Sequence, residues 1–346
     1  MARHRESIWW PQAIIQNKEI SISQEMHMDN KEHIPHLFSG WSSKKNCIIG
    51  LIGIIGSIAI LTYWLNHINW KDCLNIVTSF SLPFILYSIA LSFLALSCIA
   101  LRWSYYLKAL GIKLKFKESF LLCLSAAPIN TISPSKTGDL IKLYFIREKE
   151  SWSTLLASQL VERIFDLFFL ALTGCIGAFW LGNTHYMLIS FFVIIVVLAP
   201  IVLIMSFNTE RKNFIFQKLK EIKLGFSALK KMNVLFVQLL LTSLQWAISI
   251  FQVWLFYLEV GSGISILHVA ALLPLAILIG LLPISFGGVG TRDTALILLF
   301  TPFATQVQSF TVGLLFVFFR YWIIAFAGLP ILYNHINRKK QKSSNC

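Results

Sequence analysis

The chain has 346 residues, of which 56% are hydrophobic and only 13% charged, and its mean hydropathy is +0.68. These values exclude a soluble globular protein and describe an integral membrane protein. The formal net charge of +14 does not describe a nucleic-acid binder, because the basic residues lie in short stretches between apolar segments, where positive-inside topology selects them.

Six cysteines, Cys47, Cys73, Cys98, Cys123, Cys175 and Cys346, are scattered singly, so neither a disulfide framework nor a zinc site is predicted. No cofactor and no metal are expected, and no motif sets an oligomeric state.

Residues 1–46 are polar and lack the apolar core of a signal peptide, so they read as a cytoplasmic tail. Trp9, Trp10 and Pro11 could instead rest at the lipid interface, and a misplaced start upstream of Met26 or Met28 is an equally plain account. The membrane domain is read over 47–333, followed by a basic cytoplasmic tail at 334–346. A first span covers about Cys47 to Leu65 and a second about Leu82 to Leu107. Arg102, near the end of the second, is expected to snorkel towards the interface. Lys108, Lys113, Lys115 and Lys117 mark a cytoplasmic return.

The apolar run Phe116 to Ala127 is too short for a full span. It ends in a break from Pro128 to Asp139, rich in proline, glycine and hydroxyl residues, which contains Lys136 and Asp139. Helical spacing resumes from Leu140 to Arg147. Basic residues flank both ends, which predicts a re-entrant hairpin entering from the cytoplasm. The next span, about Ser153 to Leu181, carries Glu162, Arg163 and Asp166. The two carboxylates share one helical face, and Arg163 stands at the right spacing to pair with Asp166. A loop from Gly182 to His185, free of Lys and Arg, leads into a fourth span ending near Phe207.

Residues 208–233 interleave seven Lys and Arg with Phe214, Ile215, Leu219, Ile222 and Phe226 at helical spacing. An interfacial amphipathic helix and a solvated positive-inside loop both fit. A fifth span covers about Val234 to Val260, and Gly261 to Ser265 forms an uncharged outer turn. The apolar run Ile266 to Leu282 leads into a second break, Leu-Pro-Ile-Ser-Phe-Gly-Gly-Val-Gly-Thr-Arg-Asp at 282–293, before helix resumes over Ala295 to Phe300. Pro283, Gly287, Gly288 and Gly290 make non-helical backbone cheap there. Such backbone survives at membrane depth only inside protein or against a wet cavity, and Arg292 and Asp293 bring charge to that point. The last span, about Val307 to Tyr333, carries Arg320 near its middle and ends in a basic run, which puts both termini in the cytoplasm.

The two breaks share the order Pro, Ser, Gly, Asp between half-length apolar segments. One is bordered by basic ends and the other is not, so the hairpins enter from opposite sides, as an inverted repeat would produce. The predicted fold is therefore an all-α polytopic membrane protein, with about six full transmembrane helices and two re-entrant broken hairpins.

Three segments together resemble the transmembrane region of lysylphosphatidylglycerol synthases and their stand-alone flippase-like relatives. They are Pro-Ser-Lys-Thr-Gly-Asp at 134–139, Val-Glu-Arg-Ile-Phe-Asp at 161–166, and the break at 282–293. The likeness spans about residues 50 to 333. Family members resemble Gly-x-Arg-Glu where this chain has Gly290-Thr-Arg292-Asp293, which keeps a carboxylate. The synthases add a soluble aminoacyl-transfer domain after this region, so aminoacylation of lipid by this chain alone is not expected. The resemblance implies translocation or trafficking of lipid, variously aminoacylated phospholipid, polyprenyl-linked sugar or hopanoid-type lipid, in the cell membrane.

A charged head group crosses hydrocarbon more easily if fixed arginines and half-helix N-termini receive it. Arg163, Arg292 and Arg320 are the candidate receivers, joined at the breaks by Lys136, Ser135, Ser285 and Gly288. Glu162, Asp166, Asp139 and Asp293 are the candidate counter-charges, and Glu162 or Asp166 the candidate proton carrier. The alternative is that these charges are permanent ion pairs that pin helices together. Membrane lipids, anionic or polyprenyl-phosphate-linked, are the expected partners. The chain reads as transporter-like. A competing class is a membrane transferase using Asp139, Glu162 or Asp166 as acid or base. A third is a lipid-binding scaffold for a separate lipid-modifying enzyme. If the two breaks face each other, cysteines substituted for Ser135 and Ser285 will crosslink in membranes; failure to crosslink with short and long reagents contradicts the opposed-hairpin reading.

Overall fold

The computed structural model describes residues 56, 59–60, 62–64, 66, 70–133, 138–206, 220, 222–223, 225–281 and 290–344. Most of the expected first span lies outside these residues. So do Ser135, Lys136, Ser285 and Gly288.

The described chain is helical throughout. The elements are α1 (Trp70–Thr78), α2 (Leu82–Ala109), α3 (Phe116–Ile132), α4 (Asp139–Ile146), α5 (Trp152–Trp180) and α6 (Thr184–Ser206). They continue with α7 (Met232–Glu259), α8 (Ile266–Gly280), α9 (Thr291–Phe300), α10 (Gln306–Val317) and α11 (Ile323–Ser344), the last two joined through a π-helical turn, Phe318–Trp322. By length and apolarity, α2, α7 and the run Gln306–Lys339 suffice to cross a membrane. The 29-residue α5 is as long, and carries the charges described below.

An internal repeat is written into the helix ends. Both α2 and α7 contain 28 residues and close in the same way. Gly111 (φ 90°) follows α2 and Gly261 (φ 77°) follows α7, each a left-handed position that glycine takes without strain. Ile112 N–H then returns to Leu107 O, and Ser262 N–H to Tyr257 O, both at 2.9 Å. Capping residues Lys115 and Ser265 start α3 and α8 at equal distances beyond those glycines. The caps Ser151 and Thr305 start α5 and α10, their hydroxyls accepting from Thr154 N–H at 3.3 Å and Gln308 N–H at 3.2 Å. The chain thus makes long helix, turn, half helix, break, short helix and long helix twice.

The two copies are inverted. Helices α2 and α7 lie antiparallel along each other, since Gln238 at the start of α7 donates to the Arg102 carbonyl near the end of α2, at 3.0 Å. At the other end Gln252 donates to the Ser88 carbonyl and to Ser92 Oγ, both at 2.9 Å. Counted along the repeat, Ser88 matches Gln238 and Arg102 matches Gln252, so the two contacts are copies of each other related by a pseudo-two-fold axis. Interhelical amides of this kind, with small residues such as Ser88, Ser92 and Ala95 between them, hold helices where hydrophobicity provides no driving force.

Each half helix leans on a long helix of the other repeat. α3 packs along α11, and α8 along α5. The contacts are close: a Cβ at Gly177 on α5 would overlap the Ala271 backbone of α8, and one at Gly328 on α11 would overlap the Leu124 carbonyl of α3. That carbonyl is the one whose i+4 partner would be Pro128, which has no N–H.

Several expectations change here. The first break was expected at Pro128, but α3 runs through this proline to Ile132, because the freed carbonyl is covered by the backbone of Gly328. Asp139 begins α4 and Arg292 and Asp293 lie in the first turn of α9, so all three belong to helix starts and not to the breaks. The return arms α4 and α9, of 8 and 10 residues, reach only about 12 to 15 Å. They cannot cross about 30 Å of hydrocarbon, which supports hairpins that enter and turn back. Phe226, in the segment that fitted either an interfacial amphipathic helix or a solvated loop, is 3% exposed and packs with Tyr106, Val161 and Phe165 of the bundle. α11 continues as helix well past Tyr333, to Ser344.

Gly177→Val and Gly328→Val force apart helices of opposite repeats and will each cost about 1 to 3 kcal/mol. Gly263→Ala, with open space around the new Cβ, will stay within about 0.5 kcal/mol of the parent. Thermal unfolding in detergent compares them; a Gly177→Val protein as stable as Gly263→Ala contradicts the packing.

Candidate functional site

The charges sit where the repeats meet. Lys142, 1% exposed, reaches from α4 to Glu162 on α5, Nζ to Oε2 at 2.9 Å, and lies 4.5 Å above the Trp103 ring. Gln159 Nε2 donates to the same Glu162 oxygen, and Lys142 also stands 3.8 Å from Asp139 Oδ1. Glu162 Oε1 is buried and unbonded.

Arg102 departs most from its expected position at the interface. It does not snorkel. It is 1% exposed, and its Nη1 donates to Asp166 Oδ1 at 2.9 Å and to Thr242 Oγ1 at 2.5 Å. Trp246 Nε1 donates to the same Asp166 oxygen at 3.3 Å. The physical reason is that α2 turns Arg102 towards α5 and α7, where a carboxylate and a hydroxyl replace the water it would seek at the interface.

Arg163 was expected to pair with Asp166. Its ion pair is with Asp139 of α4, while Asp166 acts on it electrostatically. The return arm α4 crosses α5 and presents Asp139, held by Asn130 Nδ2 at 2.9 Å, to the guanidinium. Arg163 keeps 38% of its side chain accessible, although it lies near the middle of α5.

Arg292 and Asp293 pair at the start of α9, with Nε and Nη2 at 3.1 and 2.6 Å from Asp293 Oδ1. Asp293 Oδ2 also accepts the Gly290 N–H at 3.1 Å, closing the first turn. The guanidinium stacks 5.0 Å from the Phe316 ring and 6.0 Å from that of Tyr321. Gly280 and Gly313 leave the space this pair occupies, since a Cβ at either would meet Arg292 or Asp293.

Arg320 differs from all of these. It lies in the π-helical turn, a local widening that often accompanies function, and it makes no hydrogen bond or ion pair among the described residues. It feels Asp166, Tyr321 and Cys98 only at longer range. Tyr321 in turn interacts electrostatically with Arg163, Arg292 and Arg320, the three arginines singled out in the sequence. Among the described residues this centre holds five cations, Arg102, Lys142, Arg163, Arg292 and Arg320, against four carboxylates, Asp139, Glu162, Asp166 and Asp293. No group of three His, Cys, Asp or Glu among the described residues could hold a metal ion.

Four of the residues that build this centre were not singled out: Lys142, Thr242, Trp246 and Tyr321. One signal was in the sequence. Gln238, Thr242, Gln245, Ser249 and Gln252 recur at three- and four-residue steps along an otherwise apolar span, and all five are buried. A polar stripe on a membrane helix marks a protein-facing side.

Removing one member of a buried pair strands a charge at a cost of about 3 to 5 kcal/mol. Lys142→Met will therefore destabilise strongly, and Lys142→Met with Glu162→Leu will recover most of the loss. Thermal unfolding of the single and double variants measures this; a double variant no more stable than Lys142→Met contradicts the pair.

A scan of family models matches residues 48–328 to the lysylphosphatidylglycerol synthase TM region. The UPF0104 membrane protein MJ1595 of Methanocaldococcus jannaschii is 24% identical over 333 residues, covering 86% of this chain and 98% of its own length. A UPF0104 membrane protein of Methanothermobacter thermautotrophicus is 26% identical over 253 residues, 63% of this chain and 75% of its own. The matched region contains both hairpins and the whole charged centre, and on that extent this chain belongs to the lysylphosphatidylglycerol synthase TM region family.

Proposed function

We propose that this protein carries an anionic lipid between the leaflets of the cell membrane, with both of its termini on the cytoplasmic side. The observation that carries the reading is that, among arginines placed on membrane helices, Arg163 keeps 38% of its side chain accessible and Arg320 has no carboxylate partner among the described residues. A guanidinium at the centre of a bilayer costs about 2.5 to 3.5 kcal/mol on insertion scales. A centre built only to pin helices together would supply each such arginine with a carboxylate, and Arg320 has none among the described residues. An arginine that meets a phosphate in each transport cycle recovers that cost from its cargo.

The rest of the architecture supports the same reading. The head group meets Arg163 and Arg320 in turn and leaves on the other side as the inverted repeats exchange roles. A lateral cleft of about 570 Å³, lined by Tyr63, Trp64, Ile279, Thr294 and Leu298 among others, offers an apolar path for the acyl chains next to the helix that bears Arg292. Arg163 is free to exchange Asp139 for phosphate, whereas Arg102 and Lys142 stay in the framework.

Reconstitution into liposomes containing a fluorescent phosphatidylglycerol tests the proposal through the fraction of label that a membrane-impermeant quencher reaches. The intact protein is expected to bring inner-leaflet label to the outside. Arg163→Gln and Arg320→Gln will slow this at least about tenfold, each about 1.4 kcal/mol. Formation of a modified lipid without movement identifies a transferase instead, and movement no faster than in protein-free vesicles overturns the proposal.

A further inference from the structure

The return arm α4 is held at both ends, by helices of different repeats. At its start, inside the bundle, Asp139 and Lys142 make their ion pairs with Arg163 and Glu162 of α5. At its far end it meets α11. Lys339 Nζ donates to the Tyr144 carbonyl at 2.7 Å and stands 3.7 Å from the centre of the Tyr144 ring, with Arg147 5.0 Å from the same centre. The His335 ring lies 5.1 Å from that of Phe145. Tyr144 is in the last turn of α4, where carbonyls lack helical donors and the helix dipole favours a cation.

These contacts have no equivalent in the other repeat. Counted from the caps Ser151 and Thr305, Trp180 at the end of α5 corresponds to Asn334, and the helix continues from there to Ser344. His335 and Lys339 therefore stand on an extension that α5 does not have. At the corresponding end of the second hairpin, Phe303 packs against His268 at 4.2 Å and His268 against Trp180 at 5.1 Å, ring on ring.

The two ties on α4 differ in what breaking them costs. Arg147, Glu148 and Lys149 follow α4 directly, and Arg338 to Lys340 lie on the extension, so this end of the bundle faces water. Water can take over the bonds of Lys339 as they open. Lys142 pulled away from Glu162 would be left charged and buried. α3 is the arm that packs along α11, whereas α4 is joined to the extension through the side chains of His335 and Lys339. The joint between α4 and α11 is the one that can part.

We infer that His335 and Lys339 form a latch that holds the far end of α4 against α11, and that its release opens the cytoplasmic mouth of the first hairpin. This rests on the transport reading for what passes the mouth and for the side on which it lies. The two mouths of an inverted-repeat carrier are equivalent by symmetry, and the latch makes them unequal.

Hydrogen exchange in nanodiscs reads the latch without any transport. Lys339→Met is expected to speed exchange of the amides from Tyr144 to Lys149 at least about tenfold while α7 stays unchanged, and Lys339→Arg to remain near the parent. Exchange that does not change there, or that rises equally over α7, overturns the latch. For the mouth, Phe145→Cys and His335→Cys are combined in protein whose native cysteines are replaced by serine, and a short, reductant-cleavable thiol crosslinker is applied in the liposome assay. Lipid movement is expected to fall at least about tenfold on crosslinking and to return with reductant. No crosslink, or undiminished movement in crosslinked protein, overturns the inference and leaves the transport reading standing. Failure of the parent protein to move lipid overturns the transport reading, while the exchange result still decides the latch.

Discussion

Charge inside a bilayer must be matched, and the helices of this protein are arranged around that matching. Arg102 reaches Asp166, Lys142 reaches Glu162, Arg163 reaches Asp139 and Arg292 reaches Asp293. The first three pairs cross between elements, so they also fix where α2, α4 and α5 stand. A buried ion pair is a poor source of stability compared with good apolar packing, but breaking one is costly, which makes such pairs effective at specifying one arrangement. Arg320 stands out against this background: among the described residues it is the cation of this centre without a carboxylate partner.

The inverted repeat accounts for how the centre comes to be shared. α3 and α8 each lie against a long helix of the other copy, so moving one copy against the other displaces both hairpins together. The glycine contacts at Gly177 and Gly328 keep those surfaces flat enough to approach at backbone distance, which in lipid replaces the hydrophobic drive available to soluble helices. Arg163 comes from one copy, Arg292 and Arg320 from the other. A head group held between them would touch both copies, which is the geometry that alternating access requires.

Much of the fold was legible because membrane sequences obey few rules. Long apolar runs gave α2, α5, α6 and α7, and proline and glycine in apolar sequence gave the hairpins. Pro128 misled because a proline inside a helix ends it only where nothing covers the freed carbonyl; here Gly328, far along the chain, does so. The acidic residues and arginines of the centre were visible as charges out of place. Their pairing was not, because spacing along one helix favours Arg163 with Asp166, while the return of α4 brings Asp139 closer. Arg102 was misread for a related reason: its depth suggested an interfacial residue, and only the face it presents to α5 and α7 decides otherwise. The polar stripe on α7 was readable and marks the side on which Thr242 and Trp246 meet the charges.

The central claim is that Arg320 is completed by the phosphate of a lipid. A cryo-EM structure of the protein in nanodiscs of phosphatidylglycerol tests it most directly, by the density around that guanidinium. The account predicts a phosphodiester within about 3 Å of Arg320, at charge-assisted hydrogen-bond distance, with Arg163 turned towards it. Arg320 paired with a protein carboxylate, and no head group beside it, would contradict it.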